Sequence, residues 1–444
     1  MDFRATPPPA VRWITETLEE AGFATWVVGG AIRDLILGRA AKDWDLATRA
    51  RPEQIMAAFP RTVPIGVEHG TVGVLARDGT LYEVTTFRRD VEPLGRRAVV
   101  EFSEDIGDDL ARRDFTFNAL AWHPLREDLL DPEGGMADMK AGILRTVGAP
   151  EQRFSEDFLR VLRALRFAGQ FRLSIENATW QALLGAVPEL SRLSPERVQE
   201  EIMKVLSQAC RPSIALHLYL ESGTLAVLYP EIAEATVHAG SDPTLFARAS
   251  EVCDALRPGR PLVRLAVLLA LARSTKGAGV DGMRCAVEGL MQRLRFPNAD
   301  TKYVSSVVAT HHMGPPTTEA AELRRWLSRA GPDYFSDVAR IWMAEARTVR
   351  DGGGPTPEEV VDRIRKVRSV LRTGPPLSIS DLSLDGSRLK ELGFTPGPNF
   401  GEMLAYLLER VLEWPELNNR SDLEALLGSG GFLPEARSSG HEAP

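Results

Sequence analysis

Residues 27–46 read VVGGAIRDLILGRAAKDWDL, which sets a glycine pair and an arginine a short distance ahead of two aspartates. At Gly29 and Gly30 the absent side chains let backbone N–H groups approach a phosphate closely. Residues 31–37 then read as a helix that opens at this turn. Its N-terminus offers unpaired donors and a favourable dipole to an anion, with Arg33 adding a full positive charge one turn in. Asp43 and Asp45 alternate around Trp44, and on a strand that spacing points both carboxylates to one face. Two carboxylates beside a triphosphate cradle are what a pair of divalent cations needs to bridge a nucleophile and a transferring phosphoryl group. The chemistry implied is nucleotidyl transfer. A Walker-type phosphate loop is excluded, because no GxxxxGK[ST] occurs.

Several elements must position these groups. Val27 and Val28 read as the end of a buried strand that delivers the glycine turn. Residues 71–88, TVGVLARDGTLYEVTTFR, alternate and turn at Asp78-Gly79, which predicts a β-hairpin. Glu83 on that hairpin is the local candidate for a third carboxylate near the metals, and a solvent-facing strand residue fits the same alternation equally. Arg112 and Arg113, followed by Asp114, offer guanidinium forks that suit phosphate oxygens, although local composition alone also suits a solvated pair. A helix is predicted from Ser155 as N-cap, with Glu156 and Asp157 in its first turn. Arg160 then lies one turn from Asp157, close enough for a surface salt bridge. The same pair has a second use. A carboxylate accepts from an exocyclic amine and an arginine donates to a ring nitrogen, so Asp157 and Arg160 can together match the Watson–Crick edge of cytosine or adenine and mismatch guanine and uracil. Arg163 and Arg166 continue at steps of three, each about 60° short of a full turn, so Arg166 faces away from Asp157.

These segments resemble the signatures of the bacterial-type (class II) tRNA nucleotidyltransferase and poly(A) polymerase family. Residues 29–46 are similar to its GGxVRDxLLGxxxxDxDL motif, with Ile32 in the valine position, and RRDFTFNALAW at 112–122 resembles a second motif. EDFLRVLRALRFAGQF at 156–171 resembles the family's nucleotide-selecting helix, SPERVQEEIMKVL at 194–206 the helix after it, and DGSRLKELGFTPGPNFGEML at 385–404 its tail motif. The resemblance implies a nucleotidyltransferase head of α/β type, with a mixed sheet and helices, followed by an extended all-α region. It implies Mg²⁺ in a two-metal site on Asp43 and Asp45. Gly29, Gly30, Arg33 and Arg113 would hold the triphosphate, with Asp114 and Asn118 shaping the site. Asp157 and Arg160 would select the base, and Arg163 and Arg166 would lie more loosely near the nucleotide or neighbouring acids. The implied partners are the tRNA acceptor arm, CTP and ATP. Residues 88–100, RRDVEPLGRRAVV, resemble a flexible loop slightly shorter than the family's usual one, which leaves full CCA addition, CC-only or A-only addition, and poly(A) synthesis as alternatives, beside a catalytically silent RNA-binding module. Where relatives carry a metal-binding His-Asp dyad, residues 264–277 have alanine and leucine, so no phosphohydrolase activity is expected; His311-His312 is the sole candidate remnant.

The composition suits a large globular enzyme: 444 residues, 44% hydrophobic and 26% charged. Cys210, Cys253 and Cys285 are too few and too dispersed for a disulfide framework or a zinc site. No apolar run approaches the ~20 residues of a membrane span, and residues 1–13 lack a signal-peptide core, so a cytoplasmic location is expected. A net charge of −8 confines RNA binding to local basic patches, with Arg88, Arg89, Arg96, Arg97, Arg112 and Arg113 as candidates. Glycine turns thin out after about residue 150 and helical periodicity takes over, as in Val198, Ile202, Val205 and Leu206. The expected organisation is a catalytic head (1–145), a base-selecting neck (146–210), a helical body (211–350), a helical tail that binds tRNA (351–430) and a disordered C-terminus (431–444).

Overall fold

Alternating apolar residues in the first third of the chain build one mixed sheet. The computed structural model describes residues 5–41, 43–91, 99–237, 244–271, 279–314, 319–348 and 354–432. Its strands are β1 (Thr25–Val28), β2 (Asp45–Thr48), β3 (Thr62–Gly66), β4 (Thr71–Leu75), β5 (Leu81–Thr86), β6 (Arg88–Val91), β7 (Val99–Phe102), β8 (Ala121–Trp122) and β9 (Leu129–Leu130), with a further short parallel pair, β10 (Ile143–Leu144) and β11 (Ser174–Ile175). Seven of them form a sheet in the order β3-β4-β5-β2-β1-β8-β9, with β2 and β5 parallel and the other neighbours antiparallel; β6 and β7 pair separately. The predicted hairpin is β4–β5. Its turn has Gly79 at φ 83° and the Asp78 carboxylate accepting the Thr80 amide at 2.8 Å.

Each face of the sheet has its own apolar layer. Val27, Leu46, Val72, Val74 and Val84 point to one face and pack on Val11, Ile14 and Leu18 of helix α1 (Pro9–Glu20), Ile32 of α2 (Gly30–Ile36) and Ile55 of α3 (Pro52–Ala58). Val28, Ala47, Phe87 and Ala121 point to the other and pack on Leu110 of α4 (Ile106–Ala111). Trp44 is buried in the first layer, so Asp45 projects on the α4 side, as period-two alternation demands.

Two details of the sequence reading change. Asp43 lies ahead of β2 rather than on it, and it is exposed. The single helix expected from Ser155 is two. Pro150 starts α6 (Pro150–Glu156), and Asp157 then turns extended, at φ −153° and ψ 105°, before α7 (Leu159–Phe171) begins. Ser155 is therefore no N-cap; its hydroxyl donates back to the Gln152 carbonyl. The capping is done by Asp157, whose Oδ1 accepts the Leu159 amide at 3.0 Å.

α7 buries Val161, Leu162, Leu165 and Phe167, and its Gly169 meets Ala215 so closely that a Cβ there would lie 2.5 Å from the Ala215 Cβ. Ala215 belongs to a later helix, Pro212–Glu221. Between them in sequence, helix Pro195–Gln208 buries Val198, Ile202, Val205 and Leu206 as the periodicity predicts, together with Glu201.

The chain divides into two compact units at Pro230, so the sheet and the helices up to Pro212–Glu221 share the first unit. The described residues of the second unit are helical. Leu389, Leu407, Val411 and Leu423 make the core of its last segment, and Arg264 is fully buried, donating to the Leu256 carbonyl. His311 is not solvated, as its Nε2 lies 2.9 Å from Glu345 Oε1, which accepts from it, while His312 is exposed. Among the described residues no cluster of three His, Cys, Asp or Glu side chains is arranged to hold a metal. None of the described helices is long and apolar enough to cross a membrane. Arg96, Arg97 and residues 433–444 lie outside the described residues, as does most of the 88–100 loop.

Candidate active site

The glycine turn is the floor of a cleft of about 490 Å³ in the first unit. Gly29, at φ 74°, caps α2, a conformation in which a side chain is strained. A Cβ on Gly29 would sit 3.3 Å from Arg113 Nη1 and 3.9 Å from Asp45 Oδ2, so the missing side chain is what lets the arginine and the aspartate face each other across the turn. Gly29→Ala is therefore expected to lower kcat/KM for nucleotide by about tenfold or more, through displacement of Arg113, in a steady-state incorporation assay.

The cations are held by partners at their backs. Arg33 bonds Asp34 at 3.0 Å and Asn118 Oδ1 at 3.1 Å, and its guanidinium lies 4.7 Å from the Phe171 ring and 5.4 Å from the Phe167 ring. Arg113 donates to Asp109 at 2.9 Å and to the Asn118 carbonyl at 3.3 Å. Burial pushes the Asp109 carboxyl up, but Arg113 and Arg112 outweigh it and hold it below the usual carboxylate range. Asp114, buried in the cleft wall, follows the same logic: Arg163 at 2.6 Å, the Asn118 amide and the Phe115 N–H overcome desolvation and hold its carboxyl below the usual range.

Asp45 is different. It is open to the cleft, yet protein crowds out much of its water, and its carboxyl is pushed up to about 6 by that desolvation and then by Glu83, with Arg113 opposing and Asp43 adding to the rise. Glu83 reaches this position through register, since Leu46 pairs with Val84 in the parallel β2–β5 ladder and sets the preceding residues side by side. Glu83 and Asp45 line one small recess with Arg113 and Asp109. Asp43 does not line the cleft, although its charge is felt at Asp45.

Asp157 and Arg160 both line the cleft, but they are not paired with each other. Asp157 Oδ2 accepts Arg197 Nη2 at 2.7 Å. Arg160 Nη1 bonds Glu156 at 2.5 Å and the Arg153 carbonyl at 2.9 Å, and its Nη2 reaches the Arg112 carbonyl at 3.3 Å. Arg163 lines the cleft from Asp114, whereas Arg166 does not; it is buried against Glu201 at 2.7 Å because the helical drift turns it inward. Three guanidiniums, of Arg33, Arg163 and Arg166, surround the Phe167 ring within 5.4 Å.

Among the described residues seven arginines and three aspartates line this cleft, so a chain of net charge −8 carries a strongly positive site. Arg88 and Arg112 of the anticipated basic patch belong to it, while Arg89 lies on the β6–β7 hairpin paired with Glu101. Asp109, Phe167 and Arg197 do not stand out in the sequence. Asp109 has the signal of an acid four residues before Arg113; Arg197 has the signal of a cation in the first turn of a helix, where the dipole opposes it.

Residues 25–145 match the Poly A polymerase head domain family, and residues 172–236 match the family described as the probable RNA and SrmB-binding site of polymerase A. The chain is 43% identical over 413 residues to the CCA-adding enzyme of Geobacillus sp. (strain WCH70), covering 92% of this chain and 93% of that one. It is 45% identical over 418 residues to the CCA-adding enzyme of Leuconostoc mesenteroides subsp. mesenteroides, with 93% and 94% covered. Among solved structures, the Bacillus stearothermophilus CCA-adding enzyme in complex with CTP superposes with a TM-score of 0.76 at 28% identity, covering 96% of this chain and 98% of that one. With a nucleotidyltransferase cleft on a mixed-sheet head, a helical region after it, and relatives of this similarity along almost the whole length, the chain belongs to the family of CCA-adding enzymes, the tRNA nucleotidyltransferases.

Proposed function

We propose that this cleft adds the complete CCA sequence to tRNA 3′ ends from CTP and ATP, releasing pyrophosphate, with the residues above in the following roles. The reading rests on one juxtaposition: Asp45, Gly29, Arg33 and Arg113 share a single cleft with Asp157 and Arg160, so triphosphate-binding and base-reading groups can engage one nucleotide. Arg33 and Arg113, backed by Asn118 and Asp109, hold the triphosphate as fixed forks and orient its α-phosphate toward the incoming 3′-hydroxyl. The hydroxyl attacks that phosphorus in line, and the α–β phosphoanhydride bond breaks. Asp157 accepts from the exocyclic amine of cytosine or adenine and Arg160 donates to the ring nitrogen. Uracil and guanine then leave buried polar groups mismatched. The helical region holds the acceptor arm by shape and phosphate contacts, as duplex RNA requires.

Two carboxylates, of Asp45 and Glu83, share one recess beside the cleft and are the donor type a divalent cation takes. Burial raises the Asp45 carboxyl first, and Glu83 and Asp43 raise it further against the opposing Arg113, so a bound cation would relieve both costs. Asp45 and Asp43, with Glu83 beside them, would hold Mg²⁺, which when bound supplies activation of the 3′-hydroxyl and charge stabilisation at the phosphoryl oxygens.

Three tRNA transcripts, ending at the discriminator base, at C and at CC, test this reading when supplied with single nucleotides and with CTP plus ATP. Products ending in CCA from all three are expected. Arrest after CC, action on the CC-ended transcript alone, or long A-tails would each replace full CCA addition with a narrower or different activity, and no incorporation would point to a silent RNA-binding module.

A further inference from the structure

Asp157 is pinned at both oxygens. Oδ1 takes the Leu159 amide at 3.0 Å from the start of its own helix, and Oδ2 takes Arg197 at 2.7 Å from a different helix, 40 residues along the chain. An ionised carboxylate has about four acceptor directions, so two bonds of different origin fix its rotation and decide which lone pairs remain for a ligand. Arg197 also lines the cleft, where its Nη2 meets this carboxylate. Its place in the first turn of Pro195–Gln208 is electrostatically unfavourable for a cation, and the Asp157 carboxylate is the counter-charge the structure gives it. The pair is only partly enclosed, with side-chain exposures of 45% and 34%, so a role as a stability element is small.

We propose that Arg197 is the positioning residue for base selection: its bond to Asp157 fixes the acceptor direction shown to the exocyclic amine and so sets the rejection of UTP and GTP. This rests on the reading that Asp157 addresses the base. A freely rotating carboxylate would still attract an amine, but with a geometry that no longer penalises a carbonyl in the same place. The loss then falls on discrimination rather than on phosphoryl transfer, and it enters through KM.

The test compares Arg197→Ala, Arg197→Lys, Asp157→Asn and the Arg197→Ala/Asp157→Asn double variant in the full-length chain, with kcat and KM for each of the four nucleoside triphosphates on a transcript ending at the discriminator base. Arg197→Ala is expected to reduce the ratio of kcat/KM for CTP over UTP by roughly 10- to 100-fold, mainly through a higher KM for CTP. Arg197→Lys, which can still place one donor on Oδ2, recovers part of the ratio, and the double variant discriminates no worse than Asp157→Asn. Thermal unfolding within about 2 °C of the parent excludes a merely structural effect. If Arg197→Ala keeps the parental ratio, or lowers CTP and UTP use equally, while Asp157→Asn loses discrimination, the positioning role is wrong and the base reading survives. If Asp157→Asn itself discriminates as the parent does, the base reading fails and the proposal goes with it.

Discussion

Asp45→Asn is expected to remove nucleotide incorporation by on the order of 10³-fold or more and, at neutral pH, to make the protein more stable. The first effect follows from the loss of a carboxylate that faces the phosphate cradle across Gly29 and would hold the divalent cation. The second follows from its environment. The carboxyl stands at about 6 in the folded chain against an ordinary value of 3.8, because burial, Glu83 and Asp43 all disfavour its charge. A carboxyl raised in this way favours the fold most fully below its unfolded value, and that contribution is lost as pH rises through about 6. Asparagine carries no charge to disfavour. Allowing for the solvent that reaches Asp45 from the cleft, the variant should gain about 1 kcal/mol at pH 7.5, a rise of roughly 2–4 °C in Tm for a unit of this size, and little or nothing near pH 4. Millimolar Mg²⁺ should raise the parental Tm and leave the variant's unchanged. A variant that is less stable at pH 7.5, or that retains more than a tenth of parental turnover, would refute this account of the site.

Glu201→Ala tests how the base-reading helix is held. Arg166 and Glu201 are 6% and 1% exposed, and Lys204 adds a second cation at 3.1 Å, which together with Arg166 outweighs burial and keeps the Glu201 carboxyl below its usual range. Truncation leaves the Arg166 guanidinium buried over the Phe167 ring without its counter-charge, a defect of about 3–5 kcal/mol. Amide hydrogen exchange in α7 and in Pro195–Gln208 should accelerate by about 10²- to 10³-fold, and nucleotide affinity should fall, since α7 carries Arg160 and Arg163. A double replacement, Arg166→Met with Glu201→Leu, should recover most of the stability because no unpaired charge remains. Exchange rates in Glu201→Ala equal to the parental rates would show that the pair contributes nothing to holding these helices. Because the Glu201 carboxyl is depressed, its contribution to stability is present above the usual carboxylate value and is lost as pH falls through the folded one.

The parts of the site that the sequence discloses are those whose members lie close along the chain. Gly29, Gly30, Arg33 and Asp45 fall within one turn, one short helix and the next strand, so spacing alone brings them together. The β4–β5 hairpin is equally local, with its turn residues at the tip. Glu83 needed the register of a parallel pairing, which alternation by itself does not specify. The break at Asp157 escaped because Ser155 and Asp157 are both good cap residues two positions apart. Only the helix started by Pro150 decides between them, since Ser155 then falls inside it and Asp157 caps the next. Arg197 was out of reach for a different reason: its partner is 40 residues away and nothing local marks the contact.

The ring of Phe167, with guanidiniums of Arg33, Arg163 and Arg166 about it, has a consequence for the end of the catalytic cycle. Each guanidinium has a carboxylate of its own, Asp34, Asp114 or Glu201, yet Arg33 still feels its burial and the repulsion of nearby Arg166 as downward pulls on its proton affinity, with Asp34 and Asp114 pulling the other way. An arriving polyphosphate relieves that repulsion, so part of its binding strength comes from the protein's own relaxation. The relief depends on the anion's charge and not on the base attached to it. Pyrophosphate, the leaving product, receives nearly the same welcome as the triphosphate it came from, so added pyrophosphate is expected to compete with CTP and ATP alike.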